Sequence, residues 1–209
     1  MIDQLLRGNR SFRESYHAEN RALYARLSQG QAPATLFITC SDSRVGPERF
    51  TGADAGELFV LRNAGNLVPP CCSSGGGDAA TIEYAVDVLG VRDIVVCGHS
   101  DCGAMKGLLD PASAAHLPRV SAWLAQAESS RRRVSDDGEG RLARTIEHNV
   151  LQQLDNLRTH PCVAGALARN AIELHGWVYD IGSGAIRQYD PACGDFVEAG
   201  PQEQVEAAQ

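Results

Sequence analysis

Three compact apolar runs stand out along the chain: Thr35-Leu-Phe-Ile-Thr39, Leu58-Phe-Val-Leu61 and Ile94-Val-Val-Cys97. They are continuous rather than alternating, the pattern of strands buried on both faces of a parallel sheet. Between the second and third, Ala79 to Leu89 reads as a helix. After the third, Arg119 to Ala127 brings Val120, Trp123, Leu124 and Ala127 onto one face, and Arg141 to Leu157 carries a stripe of Ile146, Val150, Leu154 and Leu157. Pro161 opens a further helix. His175 to Ile181 and Ala185 to Tyr189, joined by Gly182-Ser183-Gly184, predict a hairpin that supplies a fourth strand and an antiparallel edge. The fold class expected is therefore α/β, a central and mostly parallel β-sheet with an antiparallel edge strand, flanked by helices.

Ahead of the first strand, Asn9 to Ser28 is polar with recurrent Phe12, Tyr16, Leu23 and Leu27, which predicts a helix or helix pair of weak amphipathicity. Residues 1–30 are thus expected to form an N-terminal helical arm that lies on something else. Residues 201–209, rich in Gln, Glu and Ala, are expected to fray. No internal repeat or linker divides the chain, so 1–209 reads as a single domain.

Composition narrows the partners. A net charge of -7 argues against a nucleic-acid surface, and the basic run Arg131-Arg132-Arg133 is followed, after Val134, by Ser-Asp-Asp-Gly-Glu, a solvated loop edge. No apolar run approaches the roughly 18 residues of a membrane span, and the N-terminus lacks a signal peptide's apolar segment. Seven cysteines, an odd number in a chain of 209 residues, point to a reducing compartment and a cytoplasmic location. Cys71 and Cys72 fall in a Gly/Ser-rich loop, Cys97 reads as a small buried hydrophobe, and Cys162 and Cys193 belong to no pattern.

The candidate chemistry sits where the first and third runs end. Thr39-Cys40-Ser41-Asp42-Ser43-Arg44 and Cys97-Gly98-His99-Ser100-Asp101-Cys102-Gly103 offer Cys40, His99 and Cys102, two thiolates and an imidazole. A His-x-x-Cys spacing alone is common by chance. With a cysteine ending a neighbouring parallel strand, and with Gly98 and Gly103 bracketing the ligands, it becomes a donor set suited to Zn²⁺. Three protein ligands leave one position open, where bound water reaches a pKa of about 7. Asp42 and Arg44 stand next to it. Ligated to the metal, Asp42 would close the site; held away by Arg44, it would be free to orient the nucleophile.

Cys40-Ser-Asp42-Ser-Arg44, Gly56-Glu-Leu-Phe59-Val-Leu-Arg62-Asn63-Ala64-Gly-Asn66, Glu83-Tyr84-Ala85 and Gly98-His99-Ser-Asp-Cys102-Gly103 resemble the β-class carbonic anhydrases, in colinear order from about Leu6 to Phe196. The resemblance implies zinc-dependent, reversible hydration of carbon dioxide to bicarbonate, with Asp42 and Arg44 as a catalytic dyad. It implies that Gln31, Phe59, Ala64, Tyr84 and Gly103 bind substrate, some of them from a partner chain, and that the chain self-associates as a dimer or tetramer with its arm on the partner. Hydrolysis of carbonyl sulfide or carbon disulfide on the same scaffold, or a non-catalytic zinc-stabilised interaction domain, are the alternatives. In plant members a His one helical turn after the tyrosine passes protons; Val88 occupies that place. One branch of the family binds bicarbonate at a second site through a Trp three residues before the first ligand Cys. Phe37 stands there, without a donor, so the resemblance points to the plant-like, non-allosteric branch, although Arg62 and Tyr179 could supply part of an anion site.

Overall fold

The structure, a computed structural model, describes residues 1–71, 76–134 and 138–200. Cys72, Asp136 and Asp137 after the basic run, and the tail 201–209 lie outside the described residues. The chain divides into two compact units, Met1–Ala32 and Pro33–Gln209, each described by itself.

The N-terminal unit is helical as expected, in three pieces: α1 (Ile2–Glu14), α2 (Tyr16–Glu19) and α3 (Arg21–Leu27). The first helix begins at Ile2, well before Asn9, because a single Gly8 costs a helix only about 1 kcal/mol. Breaks fall where side chains compete for backbone groups: Ser15 Oγ donates to the Ser11 carbonyl and Asn20 Nδ2 to that of Tyr16. Phe12, Tyr16, His17 and Tyr24 gather into one ring cluster, with His17 and Tyr24 centroids 4.5 Å apart. None of the three helices contributes a buried residue.

In the larger unit β1 (Thr35–Cys40) leads through α4 (Pro47–Thr51) to β2 (Leu58–Asn63). Then α5 (Gly77–Glu83), continued by a wider π-helical turn over Tyr84–Leu89, leads to β3 (Asp93–His99). Five helices follow: α6 (Gly103–Leu109), α7 (Pro118–Leu124) with a 3-10 turn at Ala125–Ala127, α8 (Glu128–Arg132), α9 (Arg141–Leu157) and α10 (Pro161–Ala168). The chain closes with β4 (Glu173–Tyr179), β5 (Ile186–Asp190) and β6 (Asp195–Glu198). The sheet order is β2-β1-β3-β4-β5-β6, parallel through β4 and antiparallel from β4 to β6. The mostly parallel sheet is as expected. The antiparallel edge has one strand more than the hairpin supplies, because β6 buries only Phe196 and lacks an apolar run.

The chain winds from β1 outward to β2, then returns to the other side of β1 for β3. That reversal leaves a crevice beyond the carboxyl ends of β1 and β3, where open α/β sheets place ligands. Leu36, Ile38, Ile94 and Val96 face one layer, built round α9, whose Ile146, Val150, Leu154 and Leu157 are all buried as their spacing predicts. Packing there is close enough that a Cβ on Gly98 would stand 2.9 Å from Val150 Cγ2, and one on Gly176 3.1 Å from Leu154 Cδ1. Phe37, Val95 and Cys97 form a second cluster on the opposite face with Phe50, Trp177 and Tyr179. Cys97 is the buried hydrophobe expected, its thiol pushed up to about 12 by desolvation. Val120, assigned to the buried face of α7, is instead exposed, while Leu124 and Ala127 carry that contact.

Candidate metal centre

Polar residues take over from the apolar runs just as the strands reach the crevice, and the ladder holds them there. Cys40 is the last residue of β1 and His99 the last of β3; Cys102 precedes the first turn of α6. Their ligand atoms lie within 4.8 Å of one another and all three residues are buried. His99 Nδ1 is 2.8 Å from the Ser100 carbonyl, which can only accept, so the proton sits on Nδ1 and the lone pair on Nε2. That Nε2 is buried and has no hydrogen-bond partner. A buried nitrogen with a bare lone pair between two sulfurs is what a metal ligand looks like before the metal is added, and it is otherwise costly. The Cys40 thiol is pulled down to about 4, chiefly by the hydrogen bond from Cys102, whose own thiol is pushed up in return. A bound cation would favour the thiolate form of both. The residues fit a soft or borderline divalent ion.

Asp42 lies beside the cluster, its Oδ2 3.9 Å from His99 Nε2. Its carboxylate accepts from Arg44 Nη2 at 2.7 Å, from Arg44 Nε at 2.9 Å and from the Arg44 backbone N–H at 2.9 Å. Those bonds hold its carboxyl far below the usual carboxylate range, so it is ionised at any physiological pH. Arg44 is fixed from the far side as well: Nη1 donates to Asp101 Oδ2 at 3.0 Å, and Lys106 pairs with the other oxygen of Asp101. Asp101 holds a left-handed backbone conformation, φ 60, uncommon outside glycine. Sequence reasoning missed this carboxylate because it reads as a spacer between ligands; its charge beside the Arg44 motif was the available signal. Arg62, considered above for an anion site, is engaged elsewhere, donating to the carbonyls of Cys40 and Asp42 at 3.0 and 2.8 Å. Tyr179 stacks on Phe50 at 4.3 Å, and Phe37 packs edge-on against Phe50 and Trp177.

The loop after β2 forms another wall. Asn63 closes it by donating to the Leu67 carbonyl and accepting from the Leu67 N–H. Buried amides of α9 then hold it in place. Asn149 donates to the Gly65 carbonyl at 3.0 Å, Gln153 accepts the Val68 N–H at 2.8 Å, and Asn156 donates to the Val68 carbonyl at 2.8 Å. Gln153 also donates to Asn149, and Asn156 to Gln153, so the amides form a continuous ladder. Inside the loop the Gly65 N–H points at Cys40 Sγ, 3.4 Å away.

Of the residues expected to bind substrate, Gly103 opens α6 directly after Cys102, and Ala64 lies in this loop. Phe59 and Tyr84 meet each other, centroids 6.0 Å apart. In the β1–β2 register Phe59 pairs with Leu36 whereas Asn63 pairs with Cys40, so Phe59 is set back by about 13 Å along the strand. Gln31 is exposed within the N-terminal unit. Val88 is exposed on the π-helical turn.

An open α/β sheet with a Cys-His-Cys cluster at its switch point and an arginine-held aspartate beside it defines a metal-dependent enzyme centre. The family model described as carbonic anhydrase matches residues 35–186. A carbonic anhydrase of Pseudomonas aeruginosa is 50% identical over 211 residues, covering 99% of this chain and 94% of its own. The solved β-carbonic anhydrase CcaA is similar with a TM-score of 0.92 at 45% identity, covering 95% of this chain and 99% of that one. A tetrameric β-carbonic anhydrase of Sordaria macrospora has a TM-score of 0.79 at 31% identity over 90% of this chain and 95% of its own. The chain belongs to the β-class carbonic anhydrase family and is an enzyme of that family, as its motifs imply.

Proposed function

We propose that this chain catalyses the reversible conversion of carbon dioxide and water to bicarbonate and a proton with Zn²⁺ held by Cys40, His99 and Cys102. The observation that carries this is the buried, unpartnered Nε2 of His99 between two cysteine sulfurs, next to an aspartate kept off it by Arg44. Bound there, zinc would bring the pKa of a water in its open position to about 7. The protein's own residues do the rest. Asp42, always ionised and turned by Arg44, accepts a hydrogen bond from the attacking water and aims its remaining lone pair at the carbon. Arg62 keeps Cys40 and Asp42 in fixed relation by taking both their carbonyls. Asp42 would enter the metal's open position only in a closed state with the Arg44 bonds broken.

Phe59 and Tyr84 suit the pocket of a second copy better than that of their own chain. Phe59 sits on β2, an edge strand with no neighbour on its far side among the described residues, and Tyr84 meets it from the π-helical turn. Apolar walls from Phe59, Ala64 and Tyr84, with Gly103 beside them, suit a small linear substrate that becomes an anion. The chain would therefore work as a dimer or a pair of dimers, with the helical arm reaching the partner; the Sordaria relative is described as tetrameric. We place it in the cytoplasm, acting on carbon dioxide and bicarbonate rather than on nucleic acid or membranes; no described helix is long and apolar enough to span one. Stopped-flow hydration of carbon dioxide by zinc-loaded protein, with carbonyl sulfide as competitor, tests the reading. Rapid hydration is expected, and turnover of carbonyl sulfide alone would replace it with the hydrolase alternative.

A further inference from the structure

The peptide that joins Ala64 to Gly65 is hydrogen-bonded at both ends. Its N–H, on Gly65, donates to Cys40 Sγ at 3.4 Å, and its carbonyl, on Ala64, accepts from the indole Nε1–H of Trp123 at 2.8 Å. A donor at the oxygen of an amide draws electron density from the nitrogen and strengthens the N–H as a donor in turn, so the two bonds reinforce each other. Trp123 is on α7, half-buried at the margin of the core, and its indole N–H goes to the loop rather than to a metal-ligand side chain. The geometry points to Trp123 as a positioning residue for the metal centre, acting through the Ala64–Gly65 peptide to fix and weaken the electron donation of the Cys40 sulfur. This inference rests on the metal-centre reading above and extends it beyond the ligands and the Asp42–Arg44 pair.

Three further observations limit what else the contact could be. Gly65 has φ +85, and a Cβ there would stand 2.9 Å from Ala104 Cβ, so the loop is pressed against α6 with its peptide plane fixed. The following carbonyl is taken by Asn149, leaving the Ala64 carbonyl as the one Trp123 meets. The second tryptophan, Trp177, packs in the Phe37 cluster with its indole N–H buried and unpartnered. Packing alone therefore does not guarantee an indole a hydrogen bond in this protein, and the bond at Trp123 is placed rather than incidental.

A hydrogen bond to a metal thiolate withdraws charge from sulfur, which raises the energy of sulfur-to-metal charge transfer and leaves the metal more acidic toward its water. The test is the cobalt-substituted protein, read by its thiolate-to-cobalt charge-transfer band, with Trp123→Phe removing the donor and keeping a ring. The band is expected to move to longer wavelength in Trp123→Phe. In the zinc form the midpoint of the pH–activity profile is expected to rise by about 0.1–0.3 pH units, the share of one hydrogen bond that polarisation through an amide transmits. A core role alone would alter thermal stability and leave the band in place. Should the phenylalanine variant fail to fold, incorporation of the benzothiophene analogue of tryptophan replaces N–H by sulfur at constant shape. Trp177 has no bond to lose, so that substitution isolates the one at Trp123. A band at the wild-type wavelength in folded, cobalt-loaded protein overturns the inference alone; absence of any thiolate band in the wild type overturns the metal-centre reading and the inference with it.

Discussion

The strand β3 begins and ends beside a cluster of metal-ligand types, and the two clusters are not alike. At its start Asp93, Glu173 and His175 bring their oxygen and nitrogen atoms within 4.8 Å of one another; at its end Cys40, His99 and Cys102 do the same. The first set follows from register, since Asp93 pairs with Glu173 and Val95 with His175, which stacks the side chains on one face. His175 Nε2 is already committed to Asp93 Oδ1 at 2.9 Å, and these side chains are 24% and 39% exposed. His99 Nε2 is committed to nothing and is buried. Proximity of donors is thus a weak criterion for a metal site. An unspent lone pair in a dry place is a strong one, because leaving it unpaired costs about 1–3 kcal/mol unless something binds there.

The largest expected effect separates the two ends outright. Cys102→Ser should reduce bound zinc from about one ion per chain to a trace, and with it nearly all hydration activity, whereas His175→Ala should leave both at the wild-type level. Metal analysis of the purified variants decides this, and zinc retained in Cys102→Ser would remove that residue from the ligand set. Next in size, Asp42→Asn should keep the fold and the metal but lose roughly 10–100-fold in activity, because an amide offers Arg44 one acceptor oxygen in place of two. The pH dependence follows from the same pair. Asp42 has its folded pKa depressed, so its contribution to stability is present above the ordinary value of 3.8 and is lost only as pH falls below it. Between pH 5 and 8 the pair does not titrate, and activity should follow a single proton. A pH–rate profile that falls steeply and cooperatively, and falls further with added bicarbonate, would instead make Asp42 a switch.

Smaller effects test what surrounds the pair. Asp101→Asn removes the outer anchor of Arg44 and should lower activity by about 3–10-fold without loss of zinc, since the bonds from Arg44 to Asp42 remain. Kinetics on the metal-loaded variant would check it; wild-type turnover would reduce Asp101 to a surface partner of Lys106. The smallest change is expected at the opposite end of β3. Asp93→Asn weakens a partly exposed hydrogen bond to His175, a change of about 0–1 kcal/mol, and thermal melting should register it with no change in metal content.

Most of the fold was legible because parallel strands must be apolar on both faces. What the pattern missed is where each strand stops. Apolarity ends at Thr39, Leu61 and Cys97, whereas the ladder continues to Cys40, Asn63 and His99. Those added residues are the proposed ligands Cys40 and His99 and the loop-closing Asn63, and a hydropathy reading ends at that boundary. The meeting of Cys40, His99 and Cys102 and the Asp42–Arg44 pair were still legible from residue types and spacing. Asp101, Trp123 and the α9 amides were not. Asn149, Gln153 and Asn156 drop out of a reading that follows only apolar positions, although Asn149 and Gln153 stand at i+3 and i+7 from Ile146; they are buried because a loop distant in sequence supplies their partners. The short α6, with Gly103 and Gly107 in its seven residues, likewise lacks a periodic signal.

The amide ladder has a mechanical consequence. Asn149, Gln153 and Asn156 grip three backbone groups of the loop between Gly65 and Val68 at once. Sliding α9 along its axis by a single residue, about 1.5 Å, would unseat all of them together, and no intermediate setting restores any. The ladder behaves as a vernier scale with one coincident mark. Small displacements of the helix do not reach the crevice in proportion; they are refused until the whole contact lets go. Mutations that repack the far side of α9 should therefore leave the geometry at Cys40 untouched over a wide range, then abolish it abruptly, so that tolerance at this centre is a threshold and not a slope.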